Sequence, residues 1–265
     1  MFFVFLAIGV LCSVLICVLV GYQGLAFVGF FLLWFALCFL GAVFVYILLL
    51  WIASLFVDRN KIETEEQPFY RFLLEESISM LMPLLGAELH FQGGELLPDG
   101  RFLFVGNHRS AYDPFVAIWA LRGRKLSFIS KPSNFLIPIG GAFMRKCGFL
   151  PIDRDNDKNA FRTILTAAER MKRGVFSFGV YPEGTRSKTG ELLPFRNGCF
   201  KAAQRANVPI VVAAVTGTEW ITHNFPLRKT QISFTICGVL DAETVQKLST
   251  TEIGNTVRGM IESAI

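Results

Sequence analysis

The chain has 265 residues, 52% of them hydrophobic and 18% charged, with a formal net charge of +5. That length suits one domain of ordinary size plus an additional segment. Its six cysteines show no CxxC or zinc-like spacing, which argues against a disulfide framework or a metal site and for a reducing compartment.

Residues 1–57 contain no Asp, Glu, Lys, Arg or His, which accounts for much of the mean hydropathy of +0.47. A membrane-spanning helix needs about 20 mostly apolar residues. The stretch from roughly residue 2 to 20 supplies one span, GYQG (residues 21–24) makes a turn, and residues 25–57 supply a second. The second run exceeds one crossing, so it tilts or continues into the interface with Trp51 near the headgroups. A cleaved signal peptide needs a basic start and a shorter apolar core, so a permanent membrane hairpin is expected. A hairpin leaves the amino terminus and the remaining chain on one side. Arg59, Lys61 and Arg71 favour the cytoplasm for that side. A hairpin dipping into one leaflet is the alternative. With no charge inside the spans, nothing points to transport.

All charge begins at Asp58, and residues 58–265 read as a second domain with a mildly basic surface. Such a surface fits anionic partners or plain solvation. Pro68 opens a helix carrying Phe69, Phe72, Leu73, Met80, Leu81 and Leu84, closed by Pro83 and Gly86. Then come a strand, a Gly-Gly turn and the buried strand FLFV, followed by the apolar helix PFVAIWAL. KLSFISK is a strand, and FLPIDRD follows a Pro- and Gly-rich loop. DKNAFRTILTAAERMKRG is an amphipathic helix whose buried face is Phe161, Ile164, Leu165, Ala168 and Met171. VFSFGVYPEGTRS is a strand entering a polar loop, CFKAAQRAN a helix, VPIVVAAVTG and ISFTICGVL strands, and a helical tail ends the chain. Alternating strands and helices predict an α/β domain.

GNHRSAYDP (residues 106–114) places His108 five positions before Asp113. In one continuous helix the two side chains would diverge by about 140°. They can meet if His108 lies on the turn after FLFV and the helix starts later, and Asp113-Pro114 fits a late start. A carboxylate could then hold one imidazole nitrogen while the other takes a proton, activating a hydroxyl brought by the substrate. The plainer alternative is an N-cap Asp and an ordinary loop His. In YPEGTRS (residues 181–187), Glu183 supplies a carboxylate, Gly184 permits close backbone approach and Arg186 suits a phosphate; a polar turn with an internal ion pair fits equally. Arg154 in PIDRD could face a phosphate or pair with Asp153, Asp155 or Asp157. Lys131 could face a phosphate or solvent. Polar groups of one consistent chemistry thus follow four separate strands.

These blocks resemble the 1-acylglycerol-3-phosphate acyltransferases, the PlsC-like glycerolipid acyltransferases, over roughly residues 70–240. NHRSAYD looks like the family's NHxxxxD block, FLPIDR its second, YPEGTRS its third and VPIVVAAV its fourth. The resemblance implies a mixed sheet flanked by helices behind the membrane hairpin, with 1–57 as anchor and 58–265 as acyltransferase domain. It implies His108 as general base with Asp113 as its partner. Lys131, Arg154 and Arg186 would surround the acceptor's phosphate, and Glu183, Gly184 and Thr185 would shape that site. The implied reaction moves an acyl chain from acyl-CoA or acyl-carrier protein to the sn-2 hydroxyl of lysophosphatidic acid, giving phosphatidic acid. It needs no cofactor, metal or nucleic acid, and the catalytic domain would face the cytoplasm. Glycerol-3-phosphate or another lysophospholipid is an alternative acceptor. Ester or thioester hydrolysis and non-catalytic binding of anionic lipid are alternative functions.

Overall fold

A computed structural model describes residues 2–153, 156–187 and 189–265. The chain divides into two units, residues 1–57 and 58–265. In the first, α1 (Phe2–Val20) and α2 (Gly24–Leu55) are joined by a short turn and pack on each other. Phe5 and Tyr46 meet at 5.5 Å between ring centroids. At 1.5 Å per residue, the 19 residues of α1 reach roughly 28 Å and the 32 residues of α2 roughly 48 Å. By length and composition α2 can cross a bilayer; α1 is the shorter apolar helix. Most of their apolar side chains face outward, Leu19 at 76% and Leu25 at 92% exposure. Two helices cannot bury so much apolar surface against each other.

The second unit is built on seven strands: β1 (Ala87–Gln92), β2 (Leu103–Gly106), β3 (Leu126–Ser130), β4 (Leu150–Pro151), β5 (Ser177–Val180), β6 (Ile210–Thr216) and β7 (Thr230–Leu240). Their order across the sheet is β1-β7-β6-β2-β5-β3-β4. Strands β2 to β6 run parallel; β7 is antiparallel to β6, and β1 is parallel to β7. The sheet is therefore mixed, as the resemblance implies. The Gly93-Gly94 turn does not make a hairpin. It leads into a 3-10 turn, and β1 pairs with β7 instead of β2.

Helices cover both faces: α3 (Pro68–Leu84), α4 (Asp113–Ala120), α5 (Gly140–Lys146), α6 (Asp157–Lys172), α7 (Lys201–Ala206), α8 (Ile221–Asn224), α9 (Ala242–Lys247) and α10 (Thr250–Glu262). Strand alternation divides the core in two. Leu103, Val105, Phe178 and Val212 pack with α6, α7, α9 and α10. Phe102, Phe104, Phe128 and Val211 pack with α3, α4 and α8. Burial on both faces is why the central strands read as unbroken apolar runs.

Two details depart from expectation. Phe161, predicted to be buried on α6, is 48% exposed, while Ala167 is fully buried. Arg71, counted with the cations flanking the spans, is enclosed by the fold. It donates to the carbonyls of Leu126 (2.7 Å) and Cys147 (2.9 Å), to Ser127 Oγ and to Glu66. The exposed flanking cations are Arg59 and Lys61.

Candidate active site

The sheet order puts β2 between β6 and β5, so the chain leaving β2 meets the loops that follow both. Asn107 extends the pairing beyond the strand: its side chain donates to Val215 O (2.8 Å) and accepts from Val215 N (2.7 Å). The next residue, His108, is on a turn, and α4 begins only at Asp113. The Asp113 side chain does not cap that helix; Tyr112 holds the N-cap position. The carboxylate turns back onto the preceding loop. Its Oδ2 accepts from His108 Nδ1 (2.8 Å), Arg109 N (2.7 Å) and Ser110 N (2.8 Å). Its Oδ1 accepts from Thr218 Oγ1 (2.5 Å). Asp113 is fully buried. The bond at Nδ1 leaves Nε2 as the nitrogen able to take a proton.

Thr218 reaches Asp113 because the chain turns sharply after β6. Gly217 has φ +90°, and a Cβ there would lie 2.2 Å from Gln231 O. The loop after β5 closes the other side. Glu183 accepts from His108 N (2.6 Å) through Oε1 and from Leu193 N (2.9 Å) through Oε2. Ser187 N donates to His108 O (2.8 Å). Both backbone polar groups of His108 are thus held by one loop. Gly184 within it has φ +69°, a conformation suited to glycine. Arg109 ties the assembly outside, donating to Glu219 Oε1 (3.0 Å) and Gly190 O (3.0 Å).

Burial pushes the Glu183 carboxyl above its ordinary value of 4.5, against the two backbone N–H groups that favour the ionised form. Its contribution to stability is therefore full below about 4.5 and declines as pH rises through the raised value. Glu183→Gln removes that titration but offers one acceptor oxygen to two donors, a cost of about 1–3 kcal/mol. We expect the variant's stability deficit to shrink as pH rises from about 4 to 7. Denaturant midpoints measured across that range check this, and a constant deficit would contradict it.

An apolar cavity of about 530 Å³ opens beside this loop, lined among others by Ile129, Ile152, Phe161, Ile164, Val180 and Arg196. It explains why Phe161 is not packed away. Cys199 also lines it, its thiol pushed up to about 12 by burial, so it is neutral at physiological pH and no ready nucleophile.

His108, Asp113 and Glu183 are thus joined by direct hydrogen bonds. Gly184, Thr185 and Arg186 continue the same loop, with Thr185 and Arg186 exposed. Lys131 is exposed where β3 ends. Arg154 lies outside the described residues. Asn107, Tyr181, Thr218, Arg109 and Glu219 were not singled out from sequence. Asn107, Arg109 and Tyr181 lie within the blocks quoted above, whereas only the strand order brings Thr218 to Asp113.

A His–Asp pair thus stands at the end of a central parallel strand of a mixed sheet, with the Glu-Gly-Thr-Arg loop beside it. A family model described as Acyltransferase matches residues 88–216. A 1-acyl-sn-glycerol-3-phosphate acyltransferase of Cocos nucifera is 32% identical over 156 residues, 58% of this chain and 50% of that protein. One from Haemophilus influenzae is 31% identical over 162 residues, 61% of this chain and 66% of that protein. The alignments thus take in half to about two thirds of these relatives' lengths. The crystal structure of the 1-acyl-sn-glycerophosphate (LPA) acyltransferase PlsC from Thermotoga maritima superposes with a TM-score of 0.61 at 25% identity, covering 73% of this chain and 79% of that one.

Proposed function

We propose that this chain transfers an acyl group from an acyl thioester to the sn-2 hydroxyl of lysophosphatidic acid, forming phosphatidic acid. The observation that carries this reading is the 2.8 Å bond from His108 Nδ1 to the buried Asp113, which frees Nε2 as a base. The activity named for the relatives supports the substrate class. An alcohol attacks a thioester slowly until its proton is removed. His108 Nε2 takes that proton as the oxygen bonds to the carbonyl carbon, and Asp113 stabilises the imidazolium. When the C–S bond breaks, the same proton passes to the leaving thiolate. The ester and a free thiol result, and His108 returns to its neutral form. No residue is acylated, so no protein nucleophile is needed.

Lys131, Arg154 and Arg186 are the cations we assign to the acceptor's phosphate, with Glu183, Gly184 and Thr185 holding the loop that presents Arg186. We assign residues 1–57 to the membrane and the second unit to its cytoplasmic face, on the positive flank of Arg59 and Lys61. Anchoring suits a substrate whose chain favours the bilayer by about 0.8 kcal/mol per CH₂. The donor is acyl-CoA or acyl-carrier protein.

Purified full-length protein in phospholipid vesicles, given lysophosphatidic acid and a labelled acyl thioester, is expected to form labelled phosphatidic acid. Labelled free fatty acid with either donor, and no phosphatidic acid, would replace this reading with hydrolysis.

A further inference from the structure

Tyr181 follows β5 directly and has no part in the chemistry above. Its ring lies almost parallel to the His108 imidazole, with centroids 4.4 Å apart and planes 12° from parallel. Phe128 is stacked with the same tyrosine at 5.5 Å and 8°, and Phe104 meets it edge-on at 6.5 Å. Phe128 is itself locked: a Cβ on Gly179 would fall 2.3 Å from its ring. The tyrosine therefore stands on a rigid aromatic base belonging to one face of the sheet.

A hydrogen bond at Nδ1 fixes one atom of the imidazole. It does not fix the ring plane, because the ring can still rock about the Nδ1···Oδ2 line. The direction of Nε2 depends on that plane, and proton transfer needs Nε2 within hydrogen-bond reach of the attacking hydroxyl. A flat surface against the ring supplies the missing constraint. It also acts electrostatically, since the face of a phenol ring is electron-rich and attracts a cation. It therefore favours the imidazolium that forms as the hydroxyl loses its proton.

We propose that Tyr181 is a positioning residue for His108, its ring setting the plane of the imidazole and stabilising its protonated form. The proposal rests on the reading of His108 as the base. The ring is the operative part. The phenol oxygen is buried and has no hydrogen-bond partner among the described residues, so it contributes no bond to the site. Among the described residues, the charged groups bonded around His108 are Asp113 at Nδ1 and Glu183 at the backbone N–H, with the Arg109–Glu219 ion pair on the same loop. Substitution at 181 leaves all of them in place.

The test compares Tyr181→Phe and Tyr181→Leu in the full chain. The phenylalanine variant should keep the parent's kcat and pH profile. The leucine variant should lose about tenfold to a hundredfold in kcat with KM nearly unchanged, the cost of a loosely aimed group. Its acid limb in kcat/KM should move to lower pH, because the imidazolium has lost its aromatic face. A second readout is independent of turnover. The carbon-bound protons of the His108 ring should show an aromatic ring-current shift by NMR in the parent and in Tyr181→Phe, and lose it in Tyr181→Leu. If the leucine variant does not fold, Tyr181→Met replaces it as a non-aromatic filler. Parent-like kcat and acid limb in the non-aromatic variant would overturn the proposal, as would equal losses in both variants. A parent that shows the ring-current shift but forms no phosphatidic acid would overturn the assigned reaction, and with it this role, while the stacking itself stands.

Discussion

Replacing His108 by alanine is expected to lower kcat for phosphatidic acid formation by about 10²–10⁴-fold, with little change in KM. The size follows from what is removed. The hydroxyl must lose its proton as it attacks, and water in its place is a weak, unpositioned base. KM is spared because the groups assigned to the phosphate, Lys131 and Arg186, are on other loops. The fold should tolerate the change. Asp113 Oδ2 keeps the backbone N–H groups of Arg109 and Ser110, and Oδ1 keeps Thr218. The backbone of residue 108 still donates to Glu183 and accepts from Ser187. Steady-state kinetics with a matched thermal unfolding curve provides the check. Parent-like turnover in a folded His108→Ala protein would sink the mechanism.

Asp113→Asn is the second large effect, and it acts through charge alone. Three donors converge on Oδ2: His108 Nδ1 and two backbone N–H groups. The amide oxygen must take that position, since an NH₂ there would face donors. The NH₂ then faces Thr218 Oγ1, which can turn its hydroxyl and accept. The hydrogen bonds, and with them the tautomer of His108, survive. The negative charge opposite the forming imidazolium does not. A kcat loss of about 10²-fold or more is expected, with stability close to the parent's. Asp113→Ala is different. It leaves several buried donors without an acceptor, at about 1–3 kcal/mol each, against a total stability of about 5–15 kcal/mol. Denaturant unfolding of both variants separates the two roles. Asparagine should cost rate and alanine should cost fold. A fully active asparagine variant would show that the charge of Asp113 has no catalytic part.

Much of the framework is local and was legible. The charge-free stretch 1–57 reads directly as two apolar helices, and the unbroken run FLFV reads as a strand covered on both faces. Periodicity on α6 identified Ile164, Ala168 and Met171 correctly. It misplaced Phe161, because a helical repeat reports a face and not what that face meets; here part of it borders a cavity. Asp113-Pro114 marked the start of α4 to within one residue. The same pair looked like a cap, yet the carboxylate serves the loop before the helix.

By itself, then, the sequence singled out the residues proposed to carry the chemistry and the loop that lets His108 reach Asp113, since both lie within one short stretch. The tertiary structure decided everything that acts on that pair from a distance. Thr218 reaches Asp113 across 105 positions of chain, and Glu183 reaches the His108 backbone across 75. Tyr181 becomes the floor of the imidazole only because β5 lies beside β2. Hydrophobic pattern records whether a strand is buried, and any buried strand satisfies it. Which strands become neighbours is settled by packing the whole sheet at once, and that choice assembles the site.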